Sequence, residues 1–203
     1  MIRAVIISFL ILILSINLAF RNLQINSKQQ LKYLPDTILY WSKQQKLTWN
    51  DYMGNSPKTY LTTYGTEAIA VTAAEIKYEI KKKDDLITYK VYSIFIKTLS
   101  WKKDSSEAAL IHEQLHFDIA EVFSRKIRKE FNLLDIQNIN DVQSYIVVAK
   151  KLLNERNKMD DQYDQETLHG AIDFMQKKWS MKILCELCDL KEFEVDYSEY
   201  LEE

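Results

Sequence analysis

At Ser100-Trp101 the hydrophobic period of this 203-residue chain changes, and that change limits the fold more than any other feature. Before it, Ile76, Tyr78 and Ile80 alternate with Glu75, Lys77 and Glu79, and Ile87, Tyr89 and Val91 alternate with Thr88 and Lys90. A period of two puts apolar side chains on one face of a pleated strand. Tyr60 to Lys97 therefore reads as antiparallel strands wetted on one side, with Lys81 to Asp85 as the hairpin turn. After the change, Ile111, Leu115, Ile119, Val122 and Ile127 recur at helical spacing. They predict a helix over about 105–131, opened by a capping box of Asp104 with Glu107. A second helix is expected over about Asp141 to Lys158, with Val142, Tyr145, Ile146, Ala149 and Leu152 or Leu153 inward. A third is expected over about Glu166 to Leu187, including Ile172, Met175, Trp179 and Ile183. Strands followed by helices make an α+β fold, a small antiparallel sheet and then a helical part. Only three glycines and two prolines interrupt the chain, so turns are sparse and the elements long.

The N-terminus carries an address. Met1-Ile2-Arg3 precede an almost unbroken apolar run from Ala4 to Leu14 that continues to Ala19, the length of a signal-peptide core. Residues 1–19 read as a signal peptide cut after Ala19, or as an uncleaved anchor, because the charge-free run approaches a short membrane span. Either reading puts the remainder outside the cytoplasm, periplasmic or secreted. Residues 20–38 are then a lead-in segment and 39–203 a single domain. Lys plus Arg (27) nearly balances Asp plus Glu (29), so no strong field points to nucleic acid. Membrane contact is expected only through an uncleaved 1–19. The two cysteines, Cys185 and Cys188, are too few for a disulfide framework. With no βαβ pattern around them and no second pair, a local disulfide or two helix-borne thiols is a simpler reading than a redox site.

The chemistry lies in His112-Glu113-Gln114-Leu115-His116. Residues four apart share a helix face, so the two imidazoles can converge on one cation at about 2 Å each. Zinc is the expected ion. Glu113 reaches the open side of such an ion without being a ligand, which suits a general base. A catalytic zinc takes a third protein ligand from elsewhere. His169, the one remaining histidine, is the first candidate. Asp164 and Glu166, in the same run Tyr163-Asp164-Gln165-Glu166-Thr167-Leu168-His169-Gly170, are the alternatives. Glu121 is rotated off the histidine face, and Asp118 and Glu121 read as a solvated face or as partners that orient the imidazoles.

Several blocks in order carry a resemblance. Trp41-Ser42, Leu47-Thr48-Trp49-Asn50-Asp51-Tyr52, Ser100-Trp101, His112 to Glu121, and Tyr163 to Gly170 resemble the predicted secreted bacterial zinc proteases catalogued as domain of unknown function 922. The likeness runs from about Trp41 to Trp179, and Leu115 stands where that family usually has glycine. It implies a zincin-like catalytic domain. By the same analogy an edge strand above the active-site helix would pair with extended peptide, and Tyr92 to Lys97 is the candidate, equally readable as a central strand. Tyr163 would donate to the oxyanion, or else is a core tyrosine beside the third ligand.

The expected function is an exported zinc hydrolase, a metallopeptidase acting on a peptide or protein substrate, with Glu113 activating water. Two alternatives share the motif. One is an amidase or esterase acting on a cell-wall substrate. The other is a zinc-binding envelope module without turnover, in which His112, His116 and His169 hold helices together.

Overall fold

Alternation from Ala74 to Ile96 produces the longest hairpin of the fold. In the computed structural model, strand β3 (Ala74–Lys83) pairs antiparallel with β4 (Leu86–Ile96) through a two-residue turn at which Asp84 takes a φ of 55°. The structure describes residues 37–62, 65 and 67–197, so the apolar run at 1–19 and the lead-in up to residue 36 lie outside the described residues. β1 (Ile38–Tyr40) adds to the other edge of β4, giving the order β1-β4-β3, and β2 (Ala70–Val71) pairs with β5 (Trp101–Lys102) in a second, two-stranded sheet. Tyr92 to Ile96 is thus central. Ile96, Phe95 and Ile94 pair with Ile38, Leu39 and Tyr40 on one side while Phe95, Ile94 and Ser93 pair with Ala74, Glu75 and Ile76 on the other. The candidate edge for substrate pairing is not available there, because both of its hydrogen-bonding sides are taken.

Helix α1 (Glu107–Ile136) follows β5 directly. Its cap is Ser106, whose Oγ accepts from the Ala109 amide at 3.3 Å, rather than Asp104, whose carboxylate accepts from the Ser105 amide instead. The expected stripe holds at Leu115, Ile119, Val122 and Ile127, all buried, but Ile111 is half exposed. Helix α2 (Val142–Thr167), capped by Asp141, runs nine residues past its expected end, and α3 (Asp173–Asp189) starts seven residues later than expected. Gly170 and the two left-handed residues before it make 168–172 a turn, so Ile172 caps α3 instead of lying inside it.

α1 is central. The sheet covers one side of it, α2 another and α3 a third. Ile87, Val91, Ile119, Phe123, Phe131, Tyr145, Ala149 and Trp179 form one apolar cluster, and Trp41, Leu47, Tyr52, Phe95, Phe117 and Tyr197 a second. Each fully buried Val, Ile, Leu or Phe side chain among them contributes roughly 1.5–3 kcal/mol by leaving water. The middle of α1, residues 117–125, is buried all round and must neutralise its charges. Glu121, fully buried, accepts from Ser93 Oγ and Tyr197 Oη at 2.6 Å, Arg125 Nε at 3.0 Å and Arg128 Nη2 at 2.7 Å. Among the described residues the architecture is α+β, with small antiparallel sheets and three helices.

Candidate metal centre

Four donors gather at the seam between α1 and the end of α2. His112 and His116, one turn apart on α1, bring their Nε2 atoms to 3.3 Å. Asp164, on α2, sets Oδ1 at 3.1 Å from each of them. His169, just beyond α2, brings Nδ1 to 3.4 Å from the same oxygen. The ligand atoms of His112, Asp164 and His169 all lie within 4.8 Å of one another, a group that can hold a metal ion. Of the two overlapping triples, His112-His116-Asp164 is the tighter.

The other nitrogen of each α1 imidazole is already assigned. His112 Nδ1 faces Gln176 Oε1 on α3 at 3.3 Å, and His116 Nδ1 faces Asp160 Oδ1 on α2 at 3.0 Å. Each acceptor claims an Nδ1 proton, so the neutral rings turn Nε2 lone pairs toward Asp164. Three lone-pair atoms aimed at one point repel unless a cation or extra protons sit among them. In the ion-free protein protons do this. Burial pulls the His116 pKa down, but hydrogen bonds and charge from Asp160 and Asp164 outweigh it and push it up to about 10. Burial likewise opposes the Asp164 carboxylate, yet hydrogen bonds from His112 and His116 hold its pKa well below the usual range.

Glu113 is buried, and its Oε2 finds no hydrogen-bond partner among the described residues. Its charge reaches both flanking tyrosines. Burial first, then Glu113, raises the Tyr52 pKa, and Glu113 adds to the burial that raises that of Tyr163. A buried carboxylate oxygen without a partner is costly and leaves an acceptor site open.

The remaining expected residues fall elsewhere. Tyr163 is fully buried, stacks on the His112 ring at 4.6 Å, and its hydroxyl lies 2.7 Å from Gln176 Oε1 and 3.2 Å from the His112 carbonyl. Its proton is committed to those acceptors, so it serves as a wall for His112 and not as an oxyanion donor. Glu166 turns outward, accepting from Gln162 Nε2 at 2.7 Å and Trp179 Nε1 at 2.9 Å. Asp118 accepts from Trp41 Nε1 at 2.7 Å and Gln114 Nε2 at 2.9 Å, tying the aromatic lead to α1. Neither Asp118 nor Glu121 touches an imidazole; Asp160 and Gln176 have that task. Asp160 was legible in part, since it lies one helical turn before Asp164. Cys185 and Cys188 are both exposed and free on α3.

A groove of about 610 Å³ opens on the opposite face of α1, between Trp41, Leu47, Leu115 and Ile183, and includes none of the clustered donors. Among the described residues no helix is long and apolar enough to cross a membrane. The chain matches no protein-family model, no curated protein and no solved structure. The likeness to domain family 922 accordingly rests on the motif blocks alone.

Proposed function

We propose that this chain is a metal-dependent hydrolase, most simply a zinc peptidase, in which His112, His116 and Asp164 hold the ion and Glu113 moves the proton. The observation that carries the reading is the spacing of the three donor atoms, 3.1, 3.1 and 3.3 Å. Vertices of a tetrahedron whose centre is about 2.0–2.1 Å away, the usual zinc distance to nitrogen and oxygen, lie about 3.3–3.4 Å apart. The donors therefore need to open by only a few tenths of an ångström to accept the ion.

When bound, the ion supplies Lewis acidity, polarising an amide carbonyl and making water acidic enough to lose a proton near neutral pH. The chain's own groups do the rest. Gln176 and Asp160 hold the two imidazoles with Nε2 inward. Glu113 takes the proton of the attacking water on its idle oxygen and returns it to the leaving amine. Tyr163 and Gly170 pack against the His112 ring and keep it from turning. The apolar run at residues 1–19 supports an extracytoplasmic address for this activity.

One observation favours a second reading, the zinc-binding module without turnover. His169 groups with His112 and Asp164, its Nδ1 3.4 Å from Asp164 Oδ1, and could add a further protein ligand; closed sites are characteristically structural. The deciding experiment loads the full chain with zinc and assays peptide and cell-wall stem-peptide libraries with Glu113→Gln as control. The hydrolase reading expects both proteins to bind about one equivalent and Glu113→Gln to lose roughly 10²–10⁴-fold in rate. Equal rates in the two would remove Glu113, and with it the mechanism.

A further inference from the structure

The turn that ends α2 is strained at the residues that bring His169 back to the cluster. Leu168, His169 and Gly170 follow one another at φ of 47°, 52° and 82°. Glycine takes the left-handed conformation without penalty, but a side-chain-bearing residue there is strained. Local hydrogen bonds hold it. The His169 amide donates to the Asp164 carbonyl at 3.0 Å, the Ile172 amide to the Thr167 carbonyl at 2.9 Å and the Gly170 amide to Thr167 Oγ1 at 3.2 Å. The chain doubles back, and His169 Nδ1 comes to 3.4 Å from Asp164 Oδ1. Gly170 makes the closure possible, because a Cβ at that position would meet His112 Cβ at 3.0 Å and Cγ at 3.1 Å.

The four donors are not held alike. His112 and His116 sit on the long, central α1 with their Nδ1 atoms tied by Gln176 and Asp160. Asp164 lies inside α2. His169 alone among them sits on a turn. Donors on packed helices cannot withdraw without unfolding the seam, whereas a turn residue can move by rotating a few backbone angles. A hydrolytic ion needs one open position, and four protein ligands would fill it.

We propose, on the metal-hydrolase reading, that His169 is a displaceable fourth ligand that closes the open side of the ion in the resting protein and withdraws with the turn Leu168–Gly170 when substrate enters. The site is then latent until occupied. Backbone strain at Leu168 and His169 works in the same direction, since it is relieved as the turn opens. The position that His169 gives up is the one a substrate carbonyl or an added chelating anion would take.

The test uses the full chain carrying cobalt(II), whose visible absorption reports coordination number, and compares wild type with His169→Asn and His116→Ala. Asparagine tolerates the left-handed backbone, so the turn is kept. Zinc affinity is read by competition with a chromophoric chelator, and access to the open position by titration with acetohydroxamate. The expected result is that His169→Asn retains zinc, changes the cobalt spectrum and binds acetohydroxamate at least about tenfold more tightly than wild type, a difference of roughly 1.4 kcal/mol. An unchanged spectrum and unchanged acetohydroxamate affinity would overturn the proposal, because His169 would then not be a ligand. Zinc loss in His169→Asn as severe as in His116→Ala would also overturn it, because His169 would then be a permanent ligand. A wild-type chain that takes up neither ion removes the metal site and this proposal together, whereas the two preceding results strike only at His169.

Discussion

Asp160 Oδ1 lies 3.0 Å from His116 Nδ1, and the other oxygen of the same carboxylate pairs with Arg156 Nε at 2.7 Å. The chain Arg156-Asp160-His116 runs from the α2 residue that also donates to the Ala74 carbonyl of β3 to the donor cluster, and it orients one ring. Asp160→Ala should lower zinc affinity by about 10–100-fold with the far-UV circular dichroism unchanged. Chelator competition measures it. An affinity equal to wild type would mean that packing alone orients His116.

Asp164 and Glu166 are two residues apart but face different ways. Asp164→Asn should weaken zinc by more than the roughly 100-fold upper end for an orienting partner, since it removes a charged ligand. Glu166→Gln should leave zinc affinity alone, because its carboxylate is engaged with Gln162 and Trp179 on the far side of α2. The same competition assay reads both, and the reverse ranking would transfer the ligand role to Glu166.

Gly170→Ala combines two penalties. The backbone there has a φ of 82°, and the new methyl would press on the His112 ring, which cannot retreat because Tyr163 is stacked behind it. The ion-free protein should lose about 1–3 kcal/mol, measured from the urea midpoint. Zinc affinity should fall as well, because the group under pressure is a proposed ligand. A variant as stable as wild type and with full zinc affinity would show that the turn relaxes freely.

Glu121→Gln separates support from chemistry. Arg125 and Arg128 would remain buried with one anionic partner removed, an imbalance worth about 3–5 kcal/mol. Equilibrium unfolding should show that loss. The protein that remains folded should bind zinc as wild type does, because Glu121 bonds Ser93, Tyr197 and the two arginines and no imidazole. A selective drop in zinc affinity would instead make Glu121 an orienting partner.

Much of the fold was legible because its signals are local. The period-two run at Ile76–Val91 and the stripe Leu115-Ile119-Val122-Ile127 each report burial through spacing along the chain. Boundaries were less legible. Asp104 and Ser106 both satisfy the chemistry of a helix cap, and only the direction in which the chain leaves β5 selects Ser106. The third helix read too early because Leu168 and His169 are not turn residues by composition; the left-handed conformation is imposed there by hydrogen bonds to Asp164 and Thr167.

By itself the sequence determined that His112 and His116 share a helix face with Glu113 between them, because a 3.6-residue period leaves no other outcome. It also made Tyr163 to Gly170, the stretch that holds the last histidine, the first place to look for a further donor. Which of Asp164, Glu166 and His169 lie beside the imidazoles is decided only where α2 docks on α1, since that docking sets which helix face meets them. For the same reason Gln176 was invisible and Asp160 legible only in part. They stand 64 and 44 residues from the rings they face, and no periodicity within one helix encodes a contact that exists only where helices pack together.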